Sequence, residues 1–166
     1  MLPSALTAPA AEIAGRLKDR GETVAVAESS AGGLVSAALL SVPGASAYYR
    51  GGVVIYTLDG AKAILGGASD LDPGDRGACE PFARWLAAST AGKHGTVWGV
   101  SETGASGPDG NRYGDPAGHA WLAVAGPGGT LRAEHLLTGG EDRAANMEAF
   151  AAAALGLLVQ TLTNAP

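Results

Sequence analysis

The chain has one cysteine, Cys79, in 166 residues, which excludes both an internal disulfide framework and a multi-cysteine zinc site. Aromatic residues make up 5% and charged residues 16%, so the composition leans on alanine and glycine and favours thin helices packed closely on a sheet. No basic run exists: 11 Lys and Arg are scattered against 16 Asp and Glu, for a formal charge of -5. Affinity for nucleic acid rests largely on clustered cations that neutralise phosphates, so no nucleic-acid partner is expected. No apolar stretch reads as approaching the roughly 20 residues of a membrane span, and the N-terminus has no basic region followed by an apolar block. No membrane partner is expected, and the cytoplasm is the default compartment.

What is present suits one globular domain over residues 1–166. The hydrophobic fraction is 46%, and a chain of this length buries about two-thirds of the surface that its unfolded form exposes. It needs no cofactor to hold it together. Spacing predicts an amphipathic helix from Pro9 to Arg20, with Ile13 and Leu17 four apart and Gly21 as its stop. A strand follows around Val24–Ala27, then a helix over Leu34–Leu40, a break at Val42-Pro43-Gly44, and a second strand over Gly52–Thr57. Asp59-Gly60 reads as a turn, Ala61–Leu65 as a short helix, and Asp70–Asp75 as a loop. A helix over Glu80–Ala91 and a strand over Thr96–Ser101 come next. The polar, glycine-rich run Glu102–Gly118 is long enough to be a functional loop rather than a connector. Ala120–Ala125 and Leu131–Leu137 flank Pro127-Gly128-Gly129 as an antiparallel hairpin. Residues 142–161 carry Met147, Phe150, Ala151, Ala154, Leu155 and Leu158 at helical spacing, a core stripe. Helices alternating with strands, then a late hairpin, predict an α/β fold with three layers, α/β/α, around a mixed β-sheet.

Ligands of such sheets sit beyond the carboxyl ends of the strands. Three polar segments answer that description: Glu28–Gly33, Tyr56–Lys62 and Ser101–Gly118. In the first, an apolar strand runs into Ser29-Ser30-Ala31-Gly32-Gly33 and then a helix, a pattern that presents a nucleophile or seats a phosphate. The early amides of a helix lack internal partners and carry partial positive charge.

These segments, in this order, resemble the CinA C-terminal domain family, the PncC-type nicotinamide-nucleotide amidohydrolases, and the likeness runs over nearly the whole chain. Glu28-Ser29-Ser30-Ala31-Gly32-Gly33 is similar to the family's Glu-Ser-Cys/Ser-Thr-Gly-Gly run. Val42-Pro43-Gly44-Ala45-Ser46 with Gly51–Tyr56 is similar to its next block. Gly104-Ala105-Ser106-Gly107-Pro108, with Pro116 and Gly118, resembles its Gly-Ile-Ala-Gly-Pro-Gly-Gly loop and Pro-x-Gly exit. Gly140-Glu141-Asp142-Arg143 resembles its Gly-Asp-Arg.

The resemblance implies metal-free hydrolysis of the carboxamide of nicotinamide mononucleotide, a small-molecule nucleotide substrate, to nicotinate mononucleotide and ammonia. Ser29 is then the nucleophile, Tyr56 its hydroxyl partner and Lys62 the general base, since a serine hydroxyl attacks poorly until a neighbour takes its proton. The expected substrate-binding residues are Ser30, Gly32, Gly33, Gly107, Arg112 and Arg143, with the amides near Gly32 and Gly33 holding either the oxyanion or the phosphate. Three departures mark a divergent member, one of them the carboxylate that Ser101-Glu102-Thr103 puts at the start of the third loop. The family's Tyr-Ser-Asn-Glu-Ala-Lys places lysine five residues after tyrosine, whereas Lys62 follows Tyr56 by six, a turn of about 100° on a helix. Ala31 replaces a threonine. The family also implies a homo-oligomer, and the chain resembles its stand-alone form, without the N-terminal domain of longer CinA proteins and without an expected pyrophosphatase activity.

Other readings bear on the same residues. Ser29 also suits helix capping, with Ser30 as the substitute nucleophile. Glu28, Glu102, Asp109 and Asp115 could hold Mg²⁺, but turns and caps use acids for local reasons. His94, His119 and His135 lack ligand spacing. A silent nucleotide-binding or interaction module on the same loops is the alternative function.

Overall fold

A computed structural model describes residues 1–65 and 76–165, with the side chains of Leu58, Lys62 and Leu65 outside that description. The loop expected over Asp70–Asp75 also lies outside the described residues. The first helix, α1 (Ser4–Arg20), starts five residues before its predicted entry and holds Pro9 inside it. Leu6, Ala10, Ile13, Ala14 and Leu17 form its buried stripe, and burying Leu6 offsets the backbone bond that the proline cannot donate. Gly21 ends the helix in the left-handed region, at φ 64°, and returns its N–H to the carbonyls of Leu17 and Lys18.

Strand β1 (Val24–Glu28) leads to α2 (Leu34–Leu40) and then β2 (Tyr49–Val54), which ends three residues earlier than predicted. Helix α3 (Leu58–Leu65) already includes Asp59 and Gly60, where a turn was expected. Thr57 starts it: its Oγ1 accepts the Gly60 N–H at 3.0 Å and its carbonyl accepts the Ala61 N–H at 2.9 Å. Helix α4 (Glu80–His94) precedes β3 (Trp98–Ala105), a strand that runs four residues past its predicted end. β4 (His119–Ala125), β5 (Leu131–Leu137) and α5 (Arg143–Asn164) complete the chain.

The sheet order is β2-β1-β3-β4-β5, with β1 parallel to β2 and β3 and the β4–β5 hairpin antiparallel. This is the expected three-layer α/β/α arrangement on a mixed sheet. Helices α1, α2 and α5 pack together over one face, and α4 covers the other. The main core gathers Leu6, Leu17, Trp98, Phe150 and Leu155; Phe82 and Leu86 of α4 pack with Ala27, Ile55 and Ala61 opposite. Helix α5, 22 residues long, is apolar enough by composition to cross a membrane, contrary to the sequence reading. Half of its most apolar stretch is buried within the fold.

The topology places the site. From β1 the chain goes through α2 to β2 on one side, then through α3 and α4 back to β3 on the other side of β1. Crossovers that leave in opposite directions open a crevice at the strand carboxyl ends.

Candidate active-site cleft

That crevice is a cleft of about 850 Å³ whose lining includes Ser29 after β1, Tyr56 after β2, Thr103, Ser106 and Gly107 from β3 and its exit, and Arg112 and Arg143. The volume suits a small organic ligand. Tyr56 is 62% exposed. Arg143, the first residue of α5, spans the cleft wall: its Nη1 donates to the Gly107 carbonyl at 2.7 Å and its Nη2 to the Tyr56 hydroxyl oxygen at 2.6 Å. A phenol oxygen that accepts from Arg143 keeps its own proton to donate. Arg112 stacks its guanidinium over the Tyr113 ring, 5.4 Å from the centroid. Ser29, Tyr56, Gly107, Arg112 and Arg143 are therefore brought to one cavity from five places in the sequence. Lys62 belongs to α3, whose Ala61 lines the cleft; its side chain lies outside the described residues. Because Asp59 and Gly60 are helical, no turn there absorbs the additional residue between Tyr56 and Lys62.

The turn that carries Ser29 is held from below by two carboxylates, both fully buried. Glu28 accepts the N–H groups of Gly33 at 3.0 Å, Val35 at 2.9 Å and Ser36 at 2.8 Å, and the Ser36 hydroxyl at 2.7 Å. Gly32 gives its N–H to the Ser29 carbonyl at 3.2 Å. The amides expected to hold an oxyanion or phosphate are thus already engaged, and the positive end of α2 is neutralised by a side chain of the protein itself. Glu102 accepts the Ser29 N–H at 3.0 Å and the Ala31 N–H at 2.7 Å on one oxygen, and the Ser30 hydroxyl on the other. Ser30 is buried, so its hydroxyl serves the turn rather than the cleft.

Burial pushes the Glu102 carboxyl up from 4.5 to about 7; the Ser30 hydroxyl and the Ala31 and Ser29 amides pull it back, and the Glu28 charge adds to the rise. Neither acid belongs to a metal cluster: among the described residues no group of three or more His, Cys, Asp and Glu is placed to hold an ion. Asp109 lines the cleft, whereas Asp115 pairs with Arg76 and accepts from the Asn111 side-chain amide at 2.8 Å.

The histidines take structural positions. His94 closes α4 with Nδ1 3.0 Å from the Thr90 carbonyl. His119 opens β4, its Nε2 2.8 Å from the Ala78 carbonyl, which fixes the proton on Nε2 and leaves Nδ1 to accept from His135 Nε2 at 2.8 Å. Ala78, at φ 53°, borders the cleft and is held from its other side by its N–H to Thr103 Oγ1 at 3.1 Å.

Sequence reasoning placed Glu102 in a loop and missed its role under the turn. Alternation held the signal: Val24 and Val26 pair with Trp98 and Val100 in register, and one step beyond Ala27↔Ser101 the same face reaches Glu28 and Glu102.

Comparison with known proteins matches residues 6–162 to the CinA C-terminal domain. A CinA-like protein of Anaeromyxobacter sp. (strain K) is 40% identical over 140 residues, covering 84% of this chain and 34% of that protein. One from Gloeobacter violaceus is 39% identical over 145 residues, covering 87% and 34%. The chain spans about a third of the length of these curated relatives. Among solved structures, the competence/damage inducible protein CihA from Agrobacterium tumefaciens superposes with TM-score 0.88 at 27% identity, covering 99% of both chains. A CinA superfamily protein from Klebsiella pneumoniae, at 24% identity, shares the fold with TM-score 0.87 over 96% of this chain and 99% of its own.

Proposed function

Because the chain belongs to the CinA C-terminal domain family, we propose that it hydrolyses the carboxamide of nicotinamide mononucleotide, with Ser29 as nucleophile. The observation that carries this reading is the convergence of Ser29, Tyr56, Arg112 and Arg143 on one cleft. In the first step the Ser29 oxygen bonds to the carboxamide carbon, its proton passes by way of Lys62 to the departing nitrogen, and ammonia leaves. Water then attacks the resulting ester, returns a proton to Ser29 and releases nicotinate mononucleotide. Tyr56, its oxygen bonded to Arg143, supplies a phenolic proton to the developing oxyanion, a role open to it because the α2 amides serve Glu28. Arg112 is the phosphate ligand of this scheme, since Arg143 already gives two N–H groups to the protein. We place the reaction in the cytoplasm and in a homo-oligomer, as the family resemblance implies.

The helical backbone at Asp59 and Gly60 supports a second reading, in which Lys62 is out of register and the domain binds the nucleotide without turning it over. Ammonia release from nicotinamide mononucleotide, with Ser29→Ala as control, decides. Turnover that the substitution lowers by about 10³-fold or more supports hydrolysis. Binding measured by calorimetry with no ammonia released by the unsubstituted protein rejects it in favour of the carrier.

A further inference from the structure

Three consecutive residues converge on one buried side chain. The Ser29 and Ala31 amides share one oxygen of Glu102, and the Ser30 hydroxyl takes the other. Of these turn residues only Ser29 lines the cleft, and Glu102 does not line it. Resting on the reading of Ser29 as nucleophile, we propose that Glu102 is the positioning residue of the site: by accepting from the amides on both sides of Ser30, it fixes the turn that faces Ser29 toward the substrate.

The acid sits in surroundings that make it costly to bury. Glu102 shares its sheet face with Trp98 and Val100 of the main core, and Leu122 is its partner across β4, surroundings that disfavour an acid unless it is fully hydrogen-bonded. Beside it stands Glu28, a second buried acid of like charge, which pins the next amides of the same turn. Two acids side by side on neighbouring strands repel. Both are kept under the turn that brings Ser29 to the cleft. Glu28 of β1 is the charged group that bears on Glu102; β4 brings Leu122, and α2, with the sequence LVSAALL, brings no ionisable side chain.

The geometry also defines the conservative variant. A proton on the oxygen facing Ser30 lets that hydroxyl turn from donor to acceptor, while the other oxygen keeps both amides. Glutamine reproduces this shape with its amide nitrogen toward Ser30. Glu102→Ala leaves both amides and the hydroxyl without their acceptor.

The test combines steady-state kinetics on nicotinamide mononucleotide with amide resonances of the intact protein. Expected are a fall in kcat of about 10²-fold for Glu102→Ala, as for a nucleophile displaced by about 1 Å, and a KM within about 3-fold of wild type. Glu102→Gln should restore kcat to within about 10-fold of wild type. In the wild-type protein the Ser29 and Ala31 amide resonances should move together through one protonation, and Glu102→Gln should abolish that movement; this readout decides the matter if the alanine variant does not fold. A folded Glu102→Ala with wild-type kcat would overturn the proposal, as would a glutamine variant as slow as the alanine one, or amides that ignore the titration. If the wild-type protein releases no ammonia, the hydrolytic reading falls by itself, and the resonances still decide whether Glu102 holds the turn.

Discussion

Replacing Glu102 with glutamine should remove a pH dependence of folding that the wild-type chain carries between about 4.5 and 7. Burial is the main cause: it lifts the carboxyl from 4.5 to about 7 against the pull of the Ser30, Ala31 and Ser29 donors. At about 1.4 kcal/mol per pH unit, that rise amounts to about 3 kcal/mol. The folded state binds this proton more tightly than the unfolded chain does. The contribution to stability is therefore complete below the unfolded value, declines as pH rises through the folded one, and is absent above about 7. Glutamine is neutral throughout. Urea unfolding of both proteins at steps from pH 4.5 to 8 should show the wild type losing about 3 kcal/mol relative to Glu102→Gln, then a constant difference. For a domain of this size that is roughly 6–12 °C in Tm. Most other groups titrate alike in the two proteins, so the difference isolates Glu102 and its coupling to Glu28. A difference that stays flat over the whole range would mean that the carboxylate is already comfortably ionised in its bed of amides, and the burial argument would fail.

Two further substitutions probe the cleft and the layer beneath it. Arg112→Ala should raise KM for nicotinamide mononucleotide by about 10-fold or more with kcat unchanged, because a phosphate contact remote from the carboxamide contributes equally before and during reaction; steady-state ammonia release checks it, and an unchanged KM would remove Arg112 from the phosphate site. Gly99→Ala should destabilise the fold by about 2 kcal/mol or more in urea unfolding, since a Cβ there would run into the Ala87 carbonyl and the Ala91 side chain of α4.

Much of the fold was legible because hydrophobic period and punctuation agreed. The α5 stripe, the glycine stop at Gly21 and the hairpin around Pro127-Gly128-Gly129 all lie where spacing put them. Boundaries failed where a tertiary contact overrode a local rule. Pro9 reads as a helix start, yet Leu6 at 0% exposure draws another turn of helix ahead of it. Asp59-Gly60 reads as a turn, yet the Thr57 cap carries the helix across it. Glu102 reads as the start of a polar loop, yet it is paired in β3 with Leu122. Of the site residues, Ser29, Tyr56, Gly107, Arg112 and Arg143 meet at the cleft. Ser30, Gly32 and Gly33 do not line it: the Ser30 hydroxyl and the N–H groups of Gly32 and Gly33 are taken by Glu102, the Ser29 carbonyl and Glu28. Local sequence shows that a turn has free amides. It does not show which acid, 73 residues away for Ser29 and Glu102, will occupy them.

That occupancy decides how the cleft handles charge. A helix opening after a glycine-rich turn is ordinarily an anion site, because its first amides are unpaired and its dipole is positive there. Here Glu28 closes the strand just before the turn and folds its carboxylate back onto those amides, so the helix end is neutral to a ligand. An anionic substrate must find its counter-charge elsewhere, and the positive groups that line the cleft among the described residues are the guanidiniums of Arg112 and Arg143. Arg143 is fixed by Gly107 and Tyr56, which ties the start of α5 to the exits of β2 and β3. The division of labour follows from the topology: β1 and β3 lie adjacent and parallel, so Glu28 at the end of β1 and Glu102 within β3 stand side by side under the turn, while Arg112 follows β3 and Arg143 follows β5 at the cleft wall. Buried acids hold the backbone around Ser29, and guanidiniums line the cleft.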